Sequence, residues 1–289
     1  MTEASAASKS TVPAPDPRPH LTINPRSRWV LVNVRQLWEF RDLLRSFASR
    51  DVTLRYRQTV LGVTWVVLQP LIAAAIFAFV FGRVAKLPSG GVPYFVFAYA
   101  GLLAWNAFSN SVTKASSSLV GNVGMVSKVF FPRLLLPLSV LGSTLLDFFV
   151  SLVAMGVLMA VSGVAPSAAL LLLPVWLLLV LMLATGVGLA ASSLAVPYRD
   201  VQYVLPVLIQ FLLYASPVAY SMNAVPQNLR PFVAINPLSG MLEAFRWSLL
   251  GGGHLPLGAV AWSAIAAVSA LIIGASVFTA MERDFADVI

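Results

Sequence analysis

The chain has 289 residues, 58% of them hydrophobic and only 10% charged, whereas soluble domains carry roughly 25% charged residues. Residues 1–57 hold 15 of the 30 charged side chains, and the rest of the chain has too few to cover a water-soluble surface. This excludes a soluble enzyme or a nucleic-acid binder and leaves an integral membrane protein; the net charge of +8 reflects the basic N-terminal block. There is no cysteine, hence no disulfide framework, no thiolate zinc site and no cysteine nucleophile.

Residues 1–28 carry Pro13, Pro15, Pro17, Pro19 and Pro25 among Ala, Ser and Thr, and they read as a disordered cytoplasmic tail. Residues 29–57 follow as an interfacial segment. Within it, 33–50 predict an amphipathic helix, with Leu37, Phe40, Leu43, Leu44, Phe47 and Ala48 in one arc of roughly 140°. Arg35, Glu39, Asp42, Arg45 and Arg50 take the other side. Such a helix is too charged to span and is expected in the headgroup plane. A helix packed on a partner, or a soluble coil, is the alternative.

A crossing needs about 20 apolar residues. From residue 58 onward the uncharged runs supply six: 58–82, 87–113, 134–161, 167–195, 201–222 and 257–280. The third and fourth are divided at Ser162-Gly163 and Pro166. Arg41, Arg45, Arg50, Arg55, Arg57, Lys114, Lys128, Arg133, Arg199 and Arg283 flank one side, against Arg83, Lys86, Arg230 and Arg246 on the other. That asymmetry predicts both termini in the cytoplasm. The fold class expected is an all-α integral membrane protein, with a six-span domain over 58–289.

Two connections stand out. The loop 114–133 is the longest on the cytoplasmic side, with room for one short helix around Ser117–Val126; it reads either as an element that plugs into a cytosolic partner or as a solvated basic loop. The segment 221–253 stays apolar although it lies outside. Asn236-Pro237 predicts an N-cap and first turn, and Gly251-Gly252-Gly253 a stop, for a helix too short to cross. Short re-entrant helices and an amphipathic surface loop both fit.

Asp147 is the only acid within a span, which makes it a functional candidate. The spans offer no other ionising station, so a protonated or hydrogen-bonded structural role is preferred to transport chemistry. Trp65, Phe77, Phe79, Phe81, Phe211, Tyr214 and Tyr220 are packing or lipid-facing residues on general grounds. Of these, Trp65, Phe77, Phe211, Tyr214 and Tyr220 are candidates to line a conduit for sugars. No G-x-x-x-x-G-K-[ST] loop is present, and His20 and His254 lack partners for a metal or a nucleophile. No catalytic residue, metal site or resident cofactor is expected, and Asp284 and Asp287 read as a solvated tail.

Several stretches, in order, carry a resemblance. They are Arg50-Asp51-Val52-Thr53-Leu54-Arg55-Tyr56-Arg57 with Leu61-Gly62, Trp65 and Pro70; Asn122, Lys128 and Phe131-Pro132-Arg133 with Leu136-Pro137; and Tyr198-Arg199-Asp200-Val201 with Pro206 and Ser216-Pro217. The last are Asn236-Pro237-Leu238, Glu243, Phe245-Arg246-Trp247 and Gly251, then Met281-Glu282-Arg283 and Phe285-Ala286-Asp287-Val288-Ile289. Together, residues 30–289 resemble the type-2 ABC exporter permeases of polysaccharides such as O-antigen, capsule and teichoic acid. The resemblance implies an interfacial helix, six spans, a coupling helix, and re-entrant helices before the last span. It also implies a homodimer in the cytoplasmic (inner) membrane, each half docking a separate ATPase that holds ATP and Mg.

By that resemblance Ser117, Asn122, Lys128, Phe131, Pro132 and Arg133 would couple to the ATPase. Asn236, Pro237, Glu243, Arg246 and Trp247 would form the outer gate. Arg50, Arg55 and Arg57 are the candidates for contact with lipid headgroups or the pyrophosphate of a lipid-linked polysaccharide, and ordinary positive-inside anchoring accounts for them equally well. The resemblance also favours the structural role for Asp147. The competing expectation is an ATP-independent carrier or channel that uses Asp147.

Overall fold

The computed structural model describes residues 38–57, 62–129, 131–252, 255–283 and 285, and every regular element among them is helical. The expected tail over 1–28, the opening of the amphipathic segment through Leu37, Phe130, His20, His254, Asp284 and Asp287 lie outside the described residues.

The first helix, α1, is Arg41–Arg57, and α2 is Gly62–Phe77, continued by a π-helical stretch at Ala78–Val84. Next comes α3, Tyr94–Ser118, which leads through a 3-10 turn at Val120–Asn122 into the single turn α4, Val123–Val126. The long helices α5, Leu135–Val161, and α6, Leu173–Leu194, come after it, with a 3-10 lead-in to α6 at Ala168–Leu172. The chain continues with α7, Val201–Ala215, the short α8, Arg230–Ile235, then α9, Pro237–Leu250, and α10, Leu257–Met281.

Among the described residues, four stretches are long and apolar enough to cross a membrane: Thr64–Val84, Leu135–Val161, Ala168–Leu194 and Leu257–Met281. The other two expected spans differ from that pattern for separate reasons. Gly90 and Gly91 turn at φ 71° and 86°, and Pro93 precedes the helix, so α3 starts at Tyr94 rather than near residue 87. It then runs on to Ser118 and takes Asn106, Asn110 and Lys114 with it. A helix this polar is ill suited to lipid, and α3 sits at the centre of the bundle, with Tyr99, Leu102, Leu103, Trp105 and Phe108 buried. The other exception, α7, stops after 15 residues, which cover about 22 Å. Ser216 is extended at φ −99°, ψ 148°, as favoured before Pro217.

Lipid tails are as apolar as leucine, so helix association here depends on close packing and satisfied polar groups rather than on expelling water. Gly186 of α6 and Gly274 of α10 meet backbone to backbone, and a Cβ at either would collide with the other helix. At one end of the bundle, Phe47 of α1 packs edge-on against Phe131, with centroids 5.6 Å apart, and Ala48 fills the space beside Gly142 of α5. The apolar arc of α1 thus lies in large part on the chain's own α5 and its leading loop, and the helix extends past residue 50 to Arg57. We refer to this as the basic end; α8 and α9 lie at the opposite end.

Candidate functional site

The residues expected to couple to a partner divide into two groups. Ser117 and Lys128 are exposed, and Val123 and Val129 project beside them around α4. Asn122 is a tie: its amide donates to Ser118 O at 2.8 Å, and its Oδ1 accepts from Arg50 Nη2 at 3.0 Å. The tract after them turns inward. Phe131 is buried in the cluster with Phe47, Leu135 and Phe278. Past Pro132, Arg133 Nη1 donates to Glu282 O at 2.8 Å, and its guanidinium lies 5.8 Å from the Phe285 ring centroid. Phe131 and Arg133 therefore hold the fold at the basic end and do not stand on the projecting face. Arg50 also donates to Asp51 at 3.3 Å. The backbone of α1 runs through Arg55 and Arg57, whose side chains are outside the described set.

At the opposite end the sequence builds α9 as its spacing suggests. Asn236 Oδ1 accepts from Leu238 N–H at 3.0 Å, Pro237 takes the first turn, and Gly251 closes the helix at φ +69°, its N–H on Trp247 O. The helix is not a surface loop: Leu238, Met241, Leu242, Phe245 and Leu249 are fully enclosed among α3, α6 and α10. Trp176 of α6 donates to Ser248 Oγ at 2.6 Å, and Ser263 of α10 donates to Pro237 O at 2.5 Å.

Arg246, only 4% exposed, organises the irregular backbone beyond α7. Its guanidinium donates to Pro217 O at 2.6 Å, Val218 O at 2.5 Å and Tyr220 O at 3.1 Å, and it lies 4.2 Å from the Phe97 ring centroid. Tyr94 OH donates to the intervening carbonyl, Ala219 O, at 2.5 Å. Glu243 accepts from Arg246 at 3.3 Å and from Met222 N–H at 3.0 Å, and Asn236 Nδ2 donates to Ser216 Oγ at 2.7 Å. Four consecutive carbonyls released by the end of α7 thus find side-chain donors. Non-helical backbone can lie at membrane depth only when so satisfied.

Asp147 is 5% exposed on α5, and its Oδ2 lies 3.1 Å from Lys114 Nζ, which also donates to Ser143 Oγ at 3.1 Å. This corrects the expectation that no other ionising group shares the spans with Asp147. Lys114 is inside α3 because that helix begins and ends later than the apolar run suggests. The pairing was legible in one signal: Asn106, Asn110 and Lys114 recur every fourth residue, as do Ser139, Ser143, Asp147 and Ser151.

The candidate conduit aromatics are not brought to one place. Trp65 is half-exposed on α2, and Phe77 packs edge-on against Phe81 at 5.7 Å. Tyr203, Phe211 and Tyr214 are exposed along α7, and Tyr220 lies in the segment held by Arg246. An almost wholly apolar groove of about 630 Å³ separates α7 from α6 and α10.

Among the described residues, four long apolar helices, three of them packed directly on the buried α3, define a polytopic helical membrane protein. The chain belongs to the ABC-2 type transporter family, whose profile matches residues 42–250. It is 30% identical over 258 residues to the O-antigen export system permease protein RfbA of Myxococcus xanthus, covering 88% of this chain and 98% of that protein. A protein of the same name from Klebsiella pneumoniae is 27% identical over 250 residues, covering 86% and 95% of the two chains. The polysialic acid transport protein KpsM of Escherichia coli is 23% identical over 209 residues, 70% of this chain and 79% of that one.

Proposed function

We propose that this chain is the permease subunit of an ATP-driven exporter that moves a lipid-linked polysaccharide across the cytoplasmic membrane. The observation that carries this reading is likeness along 88% of the chain to a protein named as an O-antigen export permease. In this reading α2, α3, α5, α6, α7 and α10 are the six spans, both termini are cytoplasmic, and α1 lies at the membrane interface. The transporter is a homodimer with two copies of a separate ATPase, which binds ATP and Mg.

Movement of the ATPase would reach the permease through the face around α4, where Ser117, Lys128, Val123 and Val129 are exposed. Asn122 links that face to α1 through Arg50, so the coupling turn and the interfacial helix would move together. Bistable packing of this kind is how a small displacement becomes a discrete rearrangement of spans. Arg55 and Arg57 are assigned to the anionic lipid linkage, with Arg50 as a tie rather than a free contact. Asn236, Pro237, Glu243, Arg246 and Trp247 form the outer gate, and the exposed rings of α7 face the conduit. The lysine beside Asp147 already supplies a tethered cation there, which weighs against a carrier driven through that carboxylate.

The test is purification of the tagged chain from native membranes in mild detergent, with complex mass by native mass spectrometry. Two permeases with two ATPases are expected. A chain that purifies alone and moves its substrate in vesicles without ATP would overturn the proposal.

A further inference from the structure

The polar stripes of α3 and α5 face each other and meet at Lys114 and Asp147. Toward the basic end they open into a cleft of about 350 Å³ between α1, α3 and α5, of a size found in ligand sites. In the other direction they border a small, partly open cavity of about 40 Å³, lined by Asn106, Asn110, Thr144 and Asp147 beside the exposed Gln69 of α2. Thr144 is 1% exposed, and its Oγ1 has no hydrogen-bond partner among the described residues. A polar cavity of that size holds water. The stripes therefore place one polar cavity on either side of the Lys114–Asp147 pair.

The chemistry of the wider cleft distinguishes between ligand classes. A site for phosphate would carry excess cationic donors, and a site for a hydrocarbon chain would be apolar, like the groove beside α7. This cleft is neither. Among the described residues each of its cations is matched by a carboxylate: Arg50 with Asp51 at 3.3 Å, and Lys114, reaching toward the smaller cavity, with Asp147 at 3.1 Å. Hydroxyl and amide groups of Ser117, Ser139 and Asn122 stand between those pairs, against an apolar wall that includes Leu54. Such a surface offers donors and acceptors side by side with its described cations paired, as vicinal hydroxyls of a sugar ring require, while the apolar wall suits the ring's C–H face.

We propose that this cleft binds a neutral sugar unit of the exported glycan at the loading end of its route, with the water-holding cavity beyond it. The proposal rests on the permease reading and names the part of the substrate that the cleft recognises.

Photo-crosslinking tests it in the complete transporter, in cells that make the glycan. A benzophenone amino acid replaces Leu54, exposed at the cleft, and Val153, exposed elsewhere on α5, serves as the control. Adducts are read by periodate oxidation and hydrazide labelling, which report vicinal diols. Labelled, retarded adducts at Leu54 but not at Val153 are expected. Adducts that contain phosphorus but take no diol label would replace the sugar with the anionic linkage and overturn the proposal. No cleft adduct while glycan still reaches the surface would overturn the cleft and leave the permease reading standing. Surface glycan unaffected by deletion of the chain would sink both.

The absence of cysteine allows a second arm. Leu54→Cys, alkylated with a bulky maleimide after folding, is expected to lower surface glycan about tenfold relative to the unmodified variant. ATPase co-purification should be unchanged. Undiminished export after full alkylation would count against the cleft.

Discussion

Arg246 donates to the carbonyl of Pro217 at 2.6 Å, joining α9 to the point, 29 residues earlier, where α7 has just ended. The same guanidinium serves Val218 and Tyr220, and Tyr94 serves Ala219 between them. One buried arginine thus lets the backbone leave helical geometry inside the bundle. Arg246→Ala should destabilise the protein by on the order of 3 kcal/mol, because it leaves several buried acceptors without donors. Arg246→Lys should recover only part of that, since a single ammonium cannot reproduce a planar fork. Thermal unfolding in detergent, followed by intrinsic tryptophan fluorescence, measures both.

The Lys114–Asp147 pair predicts a non-additive cycle. Lys114→Met or Asp147→Asn alone breaks the pair and should cost about 3–5 kcal/mol. The double variant Lys114→Met/Asp147→Leu should cost less than either single one, because neither member of the pair is left without the other. It should nevertheless export poorly, since the polar stripes have lost the pair at which they meet. Unfolding in graded denaturing detergent, paired with surface-glycan staining, separates the two effects. Additive losses in stability would argue against a shared interaction.

Phe131 and Lys128 should behave differently although three residues apart. Phe131→Ala removes a buried ring packed on Phe47 and should lower stability by about 3–5 kcal/mol. Lys128→Ala lies on the exposed face and should change stability by less than about 0.5 kcal/mol. It should reduce the amount of ATPase that co-purifies. Equal retention of ATPase in Lys128→Ala and wild type would remove Lys128 from the docking face.

The crossing of α6 and α10 depends on the absence of a side chain at Gly274, where a Cβ would strike the backbone of Gly186. Gly274→Leu should force the helices apart at a cost of at least about 1–3 kcal/mol. Gly258→Leu, on the same helix but facing open space, should be tolerated. Monodispersity on size-exclusion chromatography after extraction compares the pair.

Much of the helical layout was readable because it is local. The uncharged runs 134–161 and 257–280 lie within a residue of α5 and α10. The Asn236-Pro237 start and Gly251 stop of α9 are capping chemistry written in adjacent residues. The run 87–113 misplaced α3 because apolarity predicts where a chain can meet lipid, and α3 is packed in protein. Its bounds come from Pro93 and the two turning glycines at one end, and at the other from polar side chains that need partners.

By itself, the sequence determined membrane residence, the helical class, the short capped helix after Asn236 and the basic face at one end, since each stems from composition or from neighbours in the chain. Only the tertiary structure decided that α1 rests on α5, that Phe131 and Arg133 turn inward, that Lys114 pairs with Asp147, and that Arg246 closes the break after α7. Those outcomes join residues from 26 to 149 positions apart. Their geometry depends on which helix faces meet, and in a nearly charge-free bundle each buried polar group must find the partner that packing brings within reach.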